Sequence, residues 1–213
     1  MKWIAYALIL LLPAAIILAS FRIVVFDKEF YTREYEKYSI YNELDKELVD
    51  ENTDKLIGYL SGNNGLDTSF FNEKEKMHLS DVKQLINGAL NLLYVLIIAS
   101  LLMIAALLYK KKYHHLGWSA VSVGCITILL LIITAIIFGS DFSNVFLNFH
   151  LISFDNDLWM LNPATDKLIV MFPEGFFYDI SLRMMFIAGM MSIAVIWLVI
   201  LSLYHDKKNI NIS

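Results

Sequence analysis

Four stretches of this chain are apolar over a length that only hydrocarbon accommodates: Trp3–Phe21, Leu92–Tyr109, Leu116–Phe138 and Met184–Tyr204. A crossing needs about 20 residues at a rise of about 1.5 Å each. The second, third and fourth stretches contain no Asp, Glu, Lys or Arg. Backbone groups inside a bilayer must satisfy one another within the segment, so each stretch is expected to be a helix. Apolar residues make up 58% of the chain, against about 45–50% in a soluble domain. The fold class that follows is a mainly α membrane protein with four transmembrane helices.

The first stretch also resembles a secretory leader, since Met1-Lys2 precedes it. Cleavage requires small residues one and three positions before the cut. Ala19 and Ser20 have Ile17 and Leu18 at the earlier position, and the apolar run resumes at Ile23. A retained helix is therefore expected.

Charge distribution orients the spans. Lys2, Lys110, Lys111, Lys112, Lys207 and Lys208 fall on one side, with Asp206 as the one acidic residue beside them. The other side receives residues 27–83, with 14 acidic and 8 basic residues, and residues 139–179, with 6 acidic and 1 basic. The positive-inside rule places both termini in the cytoplasm and both long segments outside. The expected order is helix 1 (1–26), first part of an extracytoplasmic cap (27–84), helix 2 (85–109), cytoplasmic turn (110–115), helix 3 (116–138), second part of the cap (139–179), helix 4 (180–204) and cytoplasmic tail (205–213).

The cap is expected to hold short helices. Ile40, Leu44, Leu48 and Val49 recur at helical spacing between Glu36 and Leu60, with a break and new cap at Asn52-Thr53. Gly62-Asn63-Asn64-Gly65 reads as a turn. Asn72 followed by Glu75 has capping-box spacing and opens a helix running unbroken into the second span. Ser143–Phe154 reads as a short helix at the membrane surface. Leu158–Leu161 and Leu168–Phe172 flank a Pro-containing turn, which suggests a β-hairpin.

Chemistry is narrowed first by absences. The sequence has no Walker loop, GxGxxG, HExxH, GxSxG or Cys/His cluster, which argues against nucleotide hydrolysis, dinucleotide redox chemistry and zinc proteolysis. Its single cysteine, Cys125, lies inside an apolar run and reads as packing. The spans lack the charges that mark a transport path. Of five histidines, His114, His115 and His205 adjoin the cytoplasmic lysines, whereas His78 and His150 fall outside, each near a span boundary. On a continuous helix His78, Val82, Leu85 and Ala89 share one face. Singly, each outer histidine fits a packed residue with one hydrogen bond as well as an acid–base group. As a pair at one depth, they are candidates for proton transfer, because imidazole titrates near pH 6.5. Ligation of a haem or metal by the two is a further reading. Trp159, Phe172, Phe176, Phe177 and Tyr178 suit an interfacial belt or an acyl-chain pocket equally.

The run Phe149-His150-Leu151-Ile152-Ser153-Phe154-Asp155-Asn156-Asp157-Leu158-Trp159 resembles the bacterial lipoprotein intramolecular transacylases. So do Leu161-Asn162-Pro163, Asp166-Lys167-Leu168-Ile169 and Phe172-Pro173-Glu174-Gly175-Phe176-Phe177, and so does Glu75-Lys76-Met77-His78-Leu79-Ser80-Asp81-Val82-Lys83. Residues 36–70 match loosely. The resemblance implies an acyltransferase that moves the sn-2 acyl chain of a diacylglyceryl-modified lipoprotein onto the α-amino group of its N-terminal cysteine, leaving the lyso form. It implies His78 and His150 as the catalytic pair. Asp81, Phe149, Phe154, Asn156, Asp157, Trp159 and Asp166 are candidates to orient them or shape the pocket. Lipid-modified lipoproteins and membrane lipid are the implied partners, with no nucleic acid, cofactor or metal. A non-enzymatic assembly or sensory protein, binding a partner through its acidic outer helices at 34–54, is the alternative.

Overall fold

The computed structural model describes residues 1–62 and 65–210, with the side chains of 202–210 left aside. Among the described residues eight helices follow in order: α1 (Lys2–Val25), α2 (Lys28–Lys37), α3 (Ile40–Glu43), α4 (Lys46–Leu60), α5 (Glu73–Tyr109), α6 (Tyr113–Ser153), α7 (Lys167–Met171) and α8 (Glu174–Ile210). The helices α1, α5, α6 and α8 are each long and apolar enough to cross a bilayer. The chain divides into two compact units, and the divisions fall inside these four helices. One unit comprises Met1–Phe21, Leu90–Ile136 and Arg183–Ser213, the other Arg22–Ala89 and Ile137–Leu182.

The first unit packs aliphatic against small side chains. Ala15 of α1 meets Leu93 and Leu96 of α5, and Ile16 meets Val123 of α6 and Ala188 of α8. At Gly124 a Cβ would stand 2.5 Å from Ile196 Cγ1 and 3.1 Å from the Ser192 carbonyl. Close backbone approach of this kind drives helix association where lipid competes for every aliphatic contact. Two buried hydroxyls return to their own helix: Thr127 donates to the Val123 carbonyl and Ser192 to that of Ala188, each at 2.8 Å. The outward residues Leu102, Ile136, Phe186 and Leu198 are each at least 67% exposed. Such an apolar exterior is stable only against lipid, and the protein is a multi-pass membrane protein.

The second unit is capped and polar. Asp27 accepts the Phe30 N–H at 3.2 Å and Asp45 the Leu48 N–H at 3.0 Å, starting α2 and α4. Tyr31, Tyr35, Phe172 and Phe176 form an aromatic core, with ring centroids 5.1–6.4 Å apart. Tyr35 meets Thr53 Oγ1 at 2.9 Å, and Tyr31 donates to the Val25 carbonyl at 2.8 Å, so their buried hydroxyls stay satisfied.

Several expectations are corrected. The β-hairpin is absent among the described residues: Leu158–Asp166 is a chain of turns, and Lys167–Met171 is the short helix α7. The Leu168 N–H is taken by a side chain, Glu75 Oε1 at 2.6 Å, rather than by a strand partner. No break occurs at Asn52-Thr53, since α4 is continuous from Lys46 to Leu60. Both side chains are buried and donate to carbonyls four residues back, Leu48 and Val49, at 2.8 Å. That bonding keeps them inside a helix instead of capping one. The stripe continuing from His78 on α5 buries Ile86 and leaves Leu85 40% exposed. Of the stretch Ser143–Phe154, residues 143–153 are the distal part of α6, set off by extended backbone at Asp141. The Asp141 carboxylate receives the Asn144 N–H at 3.1 Å and starts this part anew. The helix leading into the last span begins at Glu174. In the expected turn Gly62 has a φ of 127°, a left-handed value that suits glycine. Asn63, Asn64 and 211–213 lie outside the described residues, as do the side chains of His205, Lys207 and Lys208.

Candidate functional site

Two helices of the second unit bring the outer histidines together. Asn72 and Glu75 form the reciprocal box that starts α5. The Asn72 N–H donates to Glu75 Oε2 at 2.6 Å, and the Glu75 N–H donates to Asn72 Oδ1 at 3.0 Å. One turn later comes His78, only 7% exposed. The distal part of α6 carries His150. The two imidazole centroids lie 6.4 Å apart, with their planes inclined by 30°.

Aromatic rings enclose the pair. Phe154 lies 5.1 Å from His78 and 5.7 Å from His150, so it touches both. Around His150 stand Phe146 at 4.5 Å, Trp159 at 5.0 Å and Phe149 at 5.5 Å. Phe177 of α8 backs Phe146 at 4.8 Å. Phe149 is itself 47% exposed, which places an open aromatic edge beside the rings.

The two imidazoles differ electrostatically. Nδ1 of His150 lies 2.8 Å from the Phe146 carbonyl, one helical turn back. A carbonyl only accepts, so Nδ1 carries the proton and the neutral ring keeps its lone pair on Nε2. Nδ1 of His78 is buried with no hydrogen-bond partner among the described residues. Burial, reinforced by His150 and Lys74 and opposed by Asp81, pushes His78 down to about 4. Desolvation penalises the imidazolium, and His78 is neutral at pH 7.

The remaining candidates separate into two groups. Asp81 and Asn156 join the histidine site: Asn156 Nδ2 donates to Asp81 Oδ2 at 3.0 Å, and Asn156 Oδ1 accepts the Leu158 N–H at 3.0 Å. The carboxylate of Asp81 therefore holds Asn156, not the His78 ring. Asp157 is exposed, and its backbone carbonyl closes a turn with the Met160 N–H at 3.1 Å. Asp166 does not reach the histidines. Buried, it accepts from Asn162 N–H at 2.7 Å, Asn72 Nδ2 at 2.8 Å and Thr165 Oγ1 at 3.0 Å. The bond from the Asn162 backbone is the chief cause holding its carboxyl below the usual range.

Two residues escaped the sequence reading. Phe146 sets the tautomer of His150, a role its i−4 spacing on a helix signals. Glu75 is 1% exposed and also receives the Leu168 N–H, so it fastens α7 to the start of α5. Its capping role is legible from spacing, but the second bond spans 93 positions and leaves no local trace.

Four apolar helices, with two imidazoles packed among aromatic rings, define a polytopic helical membrane protein with a histidine pair. The family of lipoprotein intramolecular transacylases, Lit, matches residues 6–177, and the chain belongs to that family. The structure of the membrane integral lipoprotein intramolecular transacylase Lit from Bacillus cereus is similar, with a TM-score of 0.84 at 25% identity. The match covers 100% of this chain and 98% of that one. A form of the same protein with a histidine replaced by arginine gives 0.83 at 23% identity, covering 98% and 94%. In sequence, an uncharacterized protein of Aquifex aeolicus (strain VF5) is 29% identical over 127 residues, which are 60% of this chain and 55% of that protein. The chain thus spans about half the length of that curated relative.

Proposed function

We propose that this protein transfers an acyl chain within a lipoprotein, from the sn-2 oxygen of the diacylglyceryl group to the α-amino group of the N-terminal cysteine. The observation that carries this reading is the 6.4 Å approach of two imidazoles inside an aromatic shell. Family membership supports it. The charge asymmetry of the sequence supports an extracytoplasmic place for residues 27–84 and 139–179, spans at 1–26, 85–109, 116–138 and 180–204, and both termini in the cytoplasm. The substrate's lipid-modified end would reach the pocket from the outer leaflet.

Donor and acceptor belong to one molecule, so the protein's main task is to fold the head group back on itself. Well-oriented intramolecular reactions reach effective molarities of about 10⁵–10⁸ M. The α-ammonium, with an ordinary pKa of about 7.7–8.0, must first give up a proton to solvent. His150, with Nε2 free, takes the second proton as nitrogen attacks the ester carbonyl. Neutral His78 offers its N–H to the developing oxyanion. The new N–C bond forms, the C–O bond to the sn-2 oxygen breaks, and His150 returns its proton to that oxygen. The exchange balances without a metal or cofactor.

The test is mass spectrometry of the N-terminal lipopeptide from a host expressing each variant. His78→Ala and His150→Ala are each expected to slow conversion by about 10²–10⁴-fold, while His114→Ala converts normally. Full conversion by both outer variants would overturn the assignment.

A further inference from the structure

Asp81 stands three residues after His78 on α5, a rise of about 4.5 Å along the helix. Its carboxylate is held in place from the other histidine-bearing segment, by the Asn156 amide at 3.0 Å. Asn156 is itself oriented by the Leu158 N–H on its Oδ1. Among the described residues no cation pairs with Asp81. The ammonium of Lys74 donates to the Met160 carbonyl at 2.5 Å while its charge still acts on His78, and that of Lys83 sits over the Tyr59 ring at 3.9 Å. The site therefore presents a half-buried, pre-oriented carboxylate that has no ion-pair partner among the described residues and whose charge is felt at His78. Partly buried charges are ordinarily paired, because an uncompensated one bears its desolvation cost alone.

Resting on the transacylase reading, we infer that Asp81 docks the α-ammonium of the substrate's N-terminal cysteine and so selects substrate over product. The substrate supplies the missing cation. Release of the first proton from the docked ammonium to solvent gives up the ion pair with Asp81, and the second proton passes to His150, whose imidazolium restores a positive charge to the site during the transfer. After acylation the nitrogen is a neutral amide, and the contact is lost. The carboxylate holds what enters and releases what leaves.

The experiment uses the full-length protein in detergent and a non-reactive probe, an ether-linked dialkylglyceryl cysteinyl peptide. The probe is made with a free N-terminal amine and in an N-acetylated form, and both are titrated at neutral pH. The wild-type protein is expected to bind the free-amine probe roughly tenfold more tightly than the acetylated one, as expected for a desolvated charge pair. Asp81→Asn is expected to bring the two forms to near parity while keeping affinity for the acetylated probe, which shows that the pocket is intact. Asp81→Glu should restore part of the preference, and Asp155→Asn, an exposed carboxylate nearby, should leave it unchanged. An undiminished preference in Asp81→Asn would overturn this inference and leave the transacylase reading standing. Failure of the wild-type protein to bind either probe would overturn both.

Discussion

In the first unit the buried side chains are mostly aliphatic or small, and the buried hydroxyls of Ser20, Ser119, Thr127 and Ser192 bond to their own helix. In the second they include Glu75, His78 and Asp166, and the first and last of these bond across long sequence separations. The contrast teaches where this molecule invests its specificity. Helices surrounded by lipid gain little from further aliphatic contact and rely on close approach, as at Gly124. The second unit has to hold irregular chain in place, and it does so with carboxylates that receive backbone N–H groups. Glu75 joins α5 to α7, and Asp166 ties Asn72 to the turn that begins at Asn162. The same irregular chain carries Phe154 and Trp159 against the imidazoles.

Glu75→Leu is the strongest challenge to that contrast. It strands the buried Leu168 N–H and the part-buried Asn72 N–H, and a loss of about 2–4 kcal/mol is expected from hydrogen bonds to a carboxylate. Thermal unfolding in detergent measures it, and a neutral result would break the distinction between the units. Gly124→Ala probes the other side. Ile196 and the Ser192 carbonyl must yield to the new methyl, at a cost of about 1–3 kcal/mol.

Acid sharpens the comparison through His78. Its folded pKa, about 4, lies below the ordinary 6.5, so the unfolded chain binds the proton first. Stability is expected to be unaffected above pH 6.5 and to fall as pH drops from 6.5 toward 4. The loss reaches about 1.4 kcal/mol one unit below 6.5. His78→Gln should flatten that slope in unfolding measured across the window. The smallest effect is expected for Asp141→Ala, which removes the cap restarting the distal part of α6 and costs about 1 kcal/mol. Hydrogen exchange at Asn144 should report it locally, where the capped N–H becomes free.

The readable parts of the fold were those set by local periodicity or by short spacing. The four apolar runs, the Asn72–Glu75 box and the unbroken α5 all follow from residues within a few turns of one another. The hairpin expected around Asn162-Pro163 failed because its apolar flanks answer to distant groups. Leu168 gives its N–H to Glu75, and Lys74 takes the Met160 carbonyl. Asn52-Thr53 misled for a related reason: residues that favour caps in isolation are held inside α4 by Tyr35, Thr68 and the surrounding burial.

By itself the sequence determined that this chain lives in a bilayer, how many times it can cross, and which histidines stand apart from the lysine-rich side. Hydrophobicity and charge are summed along a segment, so no knowledge of the third dimension is needed to read them. Only the tertiary structure decided that His78 and His150 share a phenylalanine, that one ring is pinned by a carbonyl while Nδ1 of the other has no partner among the described residues, and that Asp81 is held by Asn156. Those properties depend on desolvation and on distances between atoms some seventy positions apart, and no local pattern encodes them.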